Sequence, residues 1–108
     1  MTIGTWSGLR NYTLDDINEN VEEKAGVYRI SSKGSDDKFY IFYVGQSDNL
    51  KKRLKEHLAS SETNSCIKTE VKKECRYRFV YVTTQNERDT LEAEQIKEWN
   101  PKCNTQLK

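Results

Sequence analysis

"FYVGQSDNLKKRLKEHL", residues 42–58, decides how the chain folds. Its front half is an apolar run that stops at Gly45, and its back half is a basic amphipathic helix. At roughly 100° per residue, Leu50, Leu54 and Leu58 fall on one stripe. Arg53 and His57 lie at the edge of that stripe, one turn apart. Lys51, Lys52, Lys55 and Glu56 take the wetter surface. The single histidine of the chain is thereby aimed, with an arginine, toward whatever the leucines cover. A purely structural reading has the arginine stem covering the core edge and the imidazole bonded to a backbone carbonyl.

Working outward, "GVYRIS" starts a strand at Gly26 and "KGSDD" is turn material. "KFYIFYVG" is nearly all apolar, as expected of a central strand covered on both faces. A short turn between two strands implies an antiparallel hairpin. Upstream, "YTLDDINENVEEKAG" reads as a helix with Thr13 as N-cap, Asp16 three residues on, and Leu14, Ile17 and Val21 at helical spacing. Downstream, "SSETNSCIKTEVKKE" reads as a more exposed helix anchored by Ile67 and Val71. "CRYRFVYVT" alternates, with Tyr77, Phe79 and Tyr81 on one face and Arg76, Arg78, Val80 and Val82 on the other. "NERDTLEAEQIKEW" is a last helix, capped by Asn86 and stopped before Pro101. The order α-β-β-α-α-β-α predicts an α+β fold, a small three-stranded antiparallel sheet flanked by helices. It is expected as one domain over residues 1–108, with a helical extension over 1–25 and a core over 26–104.

The 108 residues suffice for one modest core. With 32% charged residues but a net charge of only +1, any nucleic-acid affinity must come from a local patch. No apolar run approaches a membrane span, and "MTIGTWSG" lacks the pattern of a signal peptide. Three cysteines without a CxxC suggest free thiols in a reducing, cytoplasmic setting. A zinc domain on Cys66, Cys75, Cys103 and His57 is a rival reading, but the spacings match no zinc motif and cysteines are common small buried residues.

On the last helix, Leu91, Gln95, Ile96 and Trp99 define a buried face, with Glu92 near its middle and Glu94 and Glu98 pointing away. A carboxylate among apolar neighbours is costly unless it pairs or binds a cation. Both alternatives stand: a buried pair with Arg53, or a hard divalent ion. Tyr28 and Tyr43 each stand near a glycine on a strand, which marks close approach to the backbone or simply core packing with a hydroxyl at the rim. "KFYIFYVG" also has the look of the aromatic strand on which RNA-recognition sheets stack bases, although that fold requires a β-α-β-β-α-β order.

"GVY", then "YVG" with its tyrosine fifteen positions later, then "NLKKRLKEHL" and "LEAEQIKEWNPKCN" resemble, in that order, the GIY-YIG nuclease family from Gly26 to Asn104. "YVGQSDNLKKRL" is similar to the incision domain of the bacterial excision-repair C subunit, and the Arg-x-x-x-His pair to phage homing endonucleases. Val27 and Val44 replace isoleucines, and Cys103 stands where an aromatic is common.

The resemblance implies a metal-dependent endonuclease that hydrolyses phosphodiester bonds in DNA with one divalent metal, Mg²⁺ or Mn²⁺. It implies Tyr28 as candidate general base, Tyr43 to position water or phosphate, Arg53 on the scissile phosphate and Glu92 as the metal-binding glutamate. His57 matches a position held by histidine in part of the family. Gly26, Gly45 and Asn104 are supporting residues. DNA, branched or duplex, is the expected partner, held at its phosphates by Lys51, Lys52, Lys55, Lys72, Lys73, Arg76, Arg78 and Lys102. No helix-turn-helix or zinc finger accompanies these residues, so a separate protein or domain is expected to supply specificity. The alternative is a catalytically inert nucleic-acid-binding module of the same fold.

Overall fold

The computed structural model describes residues 4–104, so the first three and last four residues of the expected 1–108 domain lie outside it. The elements run β1 (Arg10–Asn11), α1 (Leu14–Asn20), β2 (Gly26–Lys33), β3 (Phe39–Ser47), α2 (Leu50–Leu58), α3 (Ser65–Glu70), β4 (Cys75–Tyr81) and α4 (Gln85–Trp99). The strands form one antiparallel sheet in the order β1-β4-β2-β3. The expected three-stranded sheet is present and gains a fourth, two-residue edge strand, β1, too short to show a period.

Each helix begins where a small polar side chain satisfies a free backbone N–H. Thr13 accepts from the Asp16 amide, Asn49 from Lys52, Asn64 from Ile67 and Thr84 from Glu87. The cap of α4 is therefore Thr84, two residues before the expected Asn86. The helix stops at Asn100, which takes the left-handed conformation at φ 46° just ahead of Pro101. The first helix is shorter than its apolar spacing suggests. It ends at Asn20, and the chain from Val21 runs into β2.

Two layers cover the sheet. On the inner face, α1, α2 and α3 pack over Tyr28, Ile30, Phe42, Tyr77 and Phe79, with Leu50, Leu54 and Ile67 supplying the helical side. On the outer face, α4 covers Val27, Val44, Val80 and Val82 with Leu91 and Ile96. The β4 alternation thus divides as its sequence indicates. N-terminal Tyr12, Ile17 and Val21 belong to the inner core, so the extension is part of the packing.

The strand buried on both faces is β2, not β3. Because β4 pairs with β2, the apolar β3 is left at the edge, with Tyr40 54% exposed. Its outer edge is protected by the segment after α4. The Cys103 amide donates to Phe42 O at 2.8 Å. The Asn104 side chain accepts from Val44 N and donates to Val44 O, both at 2.8 Å, imitating a paired strand residue.

That segment is tied to α3 by a Cys66–Cys103 disulfide, which corrects the expectation of free thiols. Only Cys75 is free among the described cysteines, and it is buried. The bond also removes two of the four zinc ligands, and no group of three or more metal-ligating side chains occurs among the described residues. A bridge between residues 37 apart leaves no local trace in sequence. No helix among the described residues is long and apolar enough to cross a membrane.

Candidate active site

Tyr28 and Tyr43 project from β2 and β3 onto the inner face, beneath α2. Gly45 lies opposite Tyr28 in the ladder. A Cβ at Gly45 would stand 2.4 Å from Tyr28 Oη and 2.8 Å from Tyr43 Cε2, so only glycine lets both rings lie across the strand. A Cβ at Gly26 would meet Val80 O at 2.2 Å and Leu50 Cδ1 at 2.6 Å, so this glycine lets α2 seat on the sheet. Both motif glycines are thus packing requirements.

His57 is fully buried rather than at the rim. Its Nε2 lies 2.6 Å from Tyr28 Oη and its Nδ1 lies 2.5 Å from Glu62 Oε1. The Tyr28 and Tyr43 rings stand 5.6 and 5.3 Å from the imidazole. The partners are two side chains, not a backbone carbonyl. Glu62, itself buried, also accepts from the Asn64 amide at 2.8 Å. Burial pushes Glu62 up, but the Asn64 amide and His57 outweigh it and hold the carboxyl below its ordinary range. Burial pushes His57 down, against the opposing pull of Glu62.

These directions assign the protons. An ionised carboxylate only accepts, so His57 Nδ1 carries hydrogen toward Glu62. Nε2 of the neutral ring then accepts from the Tyr28 hydroxyl. Burial raises Tyr28 well above the usual phenol range, with the neighbouring Tyr43 adding to it. Glu62 escaped sequence reading because it sits in the "SSET" loop, outside any period. The available cue was one acid five residues after the only histidine.

Arg53 is half-buried beside this cluster and pairs with Glu56 at 3.2 Å. Burial raises Tyr43 too, but Arg53 opposes it by charge and hydrogen bonding. Tyr43 is half-buried, whereas Tyr28 is 1% exposed. Arg53 acts on both phenols, and the one with a face to solvent is Tyr43.

Glu92 approaches from α4 and accepts from Gln46 Nε2 on β3 at 2.9 Å. Its charge raises both Tyr43 and Tyr28. The Arg53 pair considered for it does not form. Glu92 makes no ion pair among the described residues, and its hydrogen-bond partner is a neutral amide. A half-exposed, ionisable carboxylate with free lone pairs suits a hard cation that keeps most of its waters. The face of α4 agrees with expectation at Gln95, which is buried, and departs from it at Arg88, which is buried, and Trp99, which is 43% exposed.

The basic residues divide into three places. Lys51, Lys52 and Lys55 line a groove on the outer surface of α2. Lys73 and Lys102 both pair with the buried Glu70, at 3.1 and 2.7 Å, and Lys72 is exposed nearby. Arg76 and Arg78 point to the sheet face opposite Tyr28, where Arg76 pairs with Glu74 and lies over Phe39.

A family described as the UvrC-like GIY-YIG domain matches residues 24–105. The UvrABC system protein C of Nitrosococcus oceani is 33% identical over 101 residues, covering 93% of this chain and 16% of that protein. That of Bacteroides thetaiotaomicron is 32% identical over 99 residues, covering 91% and 15%. The chain thus spans about one sixth of the length of these relatives. The GIY-YIG N-terminal endonuclease domain of UvrC from Thermotoga maritima, bound to magnesium as its catalytic divalent cation, superposes with a TM-score of 0.64. The identity there is 24%, over 82% of this chain and 96% of that one, a likeness of fold.

Proposed function

The chain belongs to the UvrC-like GIY-YIG domain family, and on that premise we propose that it is an endonuclease that hydrolyses phosphodiester bonds in DNA. The observation that carries the reading is the buried Glu62–His57–Tyr28 hydrogen-bond chain set beside Arg53 and Tyr43. An inert scaffold has no need to bury a histidine and a carboxylate together, where each costs desolvation.

Phosphodiester hydrolysis needs a positioned water, neutralised phosphate charge and a stabilised leaving oxygen. Arg53 offers a planar fork of donors to the phosphate oxygens. Tyr43 takes the role of general base, because it faces solvent; burial raises its pKa, and the adjacent guanidinium offsets part of that rise. The water-activating role first assigned to Tyr28 moves to its neighbour, since the Tyr28 hydroxyl is enclosed and donates to His57. Tyr28 and His57 instead hold the Tyr43 ring from behind, with Glu62 fixing the imidazole. Glu92 is the residue that would hold one Mg²⁺ or Mn²⁺, which when bound supplies Lewis-acid polarisation of the phosphate.

Lys51, Lys52 and Lys55 add phosphate contacts on the α2 side. The relatives' name, UvrABC system protein C, fits a separate protein or domain that supplies specificity. A DNA substrate, rather than free thiols, supports a cytoplasmic site of action. The test is a cleavage panel on branched and linear DNAs with Mg²⁺, Mn²⁺ or EDTA, for the wild type and Glu92→Gln. Metal-dependent nicking is expected, with no cleavage but retained folding and DNA binding in Glu92→Gln. A wild type that binds DNA and cleaves none of it under any metal would leave the inert binding module as the reading.

A further inference from the structure

The outer sheet face is only half covered. Its rungs run Val27/Val80, then Arg29/Arg78, then Ser31/Arg76. Helix α4 packs on the valine end and terminates at Trp99. Beyond it the rungs floor a pocket of about 390 Å³, walled by Phe39, Tyr40 and Trp99.

Two features mark this pocket. Arg29 and Arg78 are directly opposite on paired strands, where like charges repel. Neither makes an ion pair among the described residues. Arg29 donates to the neutral Gln95 at 2.5 Å, and Glu98 supports its charge without forming an ion pair with it. The Arg29 guanidinium is held between the Trp6 and Trp99 rings, 4.6 and 5.4 Å from their centroids. The second feature is aromatic exposure: Trp99, at the end of α4, is 43% exposed, and Phe39 lines the same pocket from β3.

We propose that this outer face binds an unpaired DNA strand, with bases stacked on Trp99 and Phe39 and phosphates on Arg29 and Arg78. The proposal rests on the nucleic-acid reading above and extends it to substrate class. Paired cations that form no ion pair attract a polyanion, and aromatic faces accept any base. A plain duplex presents no unstacked bases to these rings. A substrate engaging both faces carries a single-stranded arm beside its scissile strand, which selects branched or flapped DNA over linear duplex.

The experiment measures binding of a short fluorescent oligothymidylate to the non-cleaving Glu92→Gln protein. Adding Trp99→Ala or Phe39→Ala is expected to weaken binding by about fivefold to a hundredfold, with Trp99→Phe restoring most of it. Arg78→Gln is expected to flatten the salt dependence by about one counterion. Circular dichroism and thermal melts establish that each variant is folded, and Phe39, on β3, provides a second variant independent of α4. Unchanged binding in folded Trp99→Ala and Phe39→Ala overturns the proposal. Equal displacement of the oligonucleotide by polyglutamate also overturns it, because charge alone would then explain the site. If the wild type fails to cleave any DNA yet the aromatic variants lose oligothymidylate, the nuclease reading falls and this one stands.

Discussion

The Tyr28 hydroxyl lies 2.6 Å from His57 Nε2, inside a cluster from which solvent is almost excluded. Tyr28 is therefore a donor to a neutral imidazole, and Tyr43 is the phenol left to meet substrate. Tyr43→Phe is expected to lower the single-turnover rate by about 10²-fold or more. Tyr28→Phe leaves Nε2 buried without its donor, costing about 1–3 kcal/mol of stability, with a smaller fall in rate. Tyr77→Phe, which removes a 2.6 Å bond to Asp16, is expected to cost stability alone. Cleavage kinetics beside urea unfolding separate the three. A normal rate for Tyr43→Phe with an inactive but folded Tyr28→Phe would reverse the assignment.

Glu62 accepts two hydrogen bonds with two oxygens, from His57 and from the Asn64 amide. A glutamine has one oxygen to offer. If it keeps the Asn64 bond, its NH₂ meets Nδ1 and forces the other tautomer, so that His57 donates to Tyr28 rather than accepting. Glu62→Gln is expected to slow the chemical step by about 10²-fold, short of the roughly 10⁴ of a protease triad. Glu62 raises His57 against burial, so its loss lowers the His57 pKa further. The acid limb of the pH–rate profile, where His57 protonates, should accordingly move to lower pH. An unmoved limb, or an unmoved imidazole titration by NMR, would limit Glu62 to a structural role.

Arg53 stands beside the two phenols, whereas Lys51, Lys52 and Lys55 line the outer groove of α2. Arg53→Lys is expected to cost about 10²–10³ in single-turnover rate, because an ammonium cannot reproduce the fork. Alanine at each lysine should weaken binding and flatten its salt slope by about one counterion. Near-normal turnover for Arg53→Lys would remove Arg53 from the reaction.

Glu70 is a buried carboxylate whose pKa falls from 4.5 to about 2: burial alone would raise it, but Lys102, Ser32 and Lys73 outweigh burial. A depressed carboxyl contributes stability in full above about pH 4.5 and loses it as the pH falls toward 2. The contribution is at most about 3 kcal/mol, less what solvent screening removes at the exposed lysines. Glu70→Gln should lose part of that at pH 7 and show a flatter decline between pH 4.5 and pH 2 in urea unfolding. Parallel acid dependence in both proteins would refute the linkage.

Much of this protein is written in short-range pattern. The leucine stripe of α2, the alternation of β4 and the Thr13 cap depend on residues within one turn or one strand of each other, and each reads directly from the chain. The grouping of Tyr28, Tyr43, Arg53, His57 and Glu92 followed from family resemblance, and the structure supplies its physical terms. What tertiary structure alone decided are contacts between distant residues. The order β1-β4-β2-β3 places apolar β3 at an edge, because β4 claims the other side of β2. The Cys66–Cys103 bond and the Asn104 clasp on Val44 join residues 37 and 60 apart. Whether Glu92 met Arg53 or only Gln46, and which tyrosine was enclosed, turned on how α2 and α4 pack across opposite faces of one sheet. Local sequence sets which faces are apolar, but the partner each polar group finds is fixed only when those faces close and water is expelled.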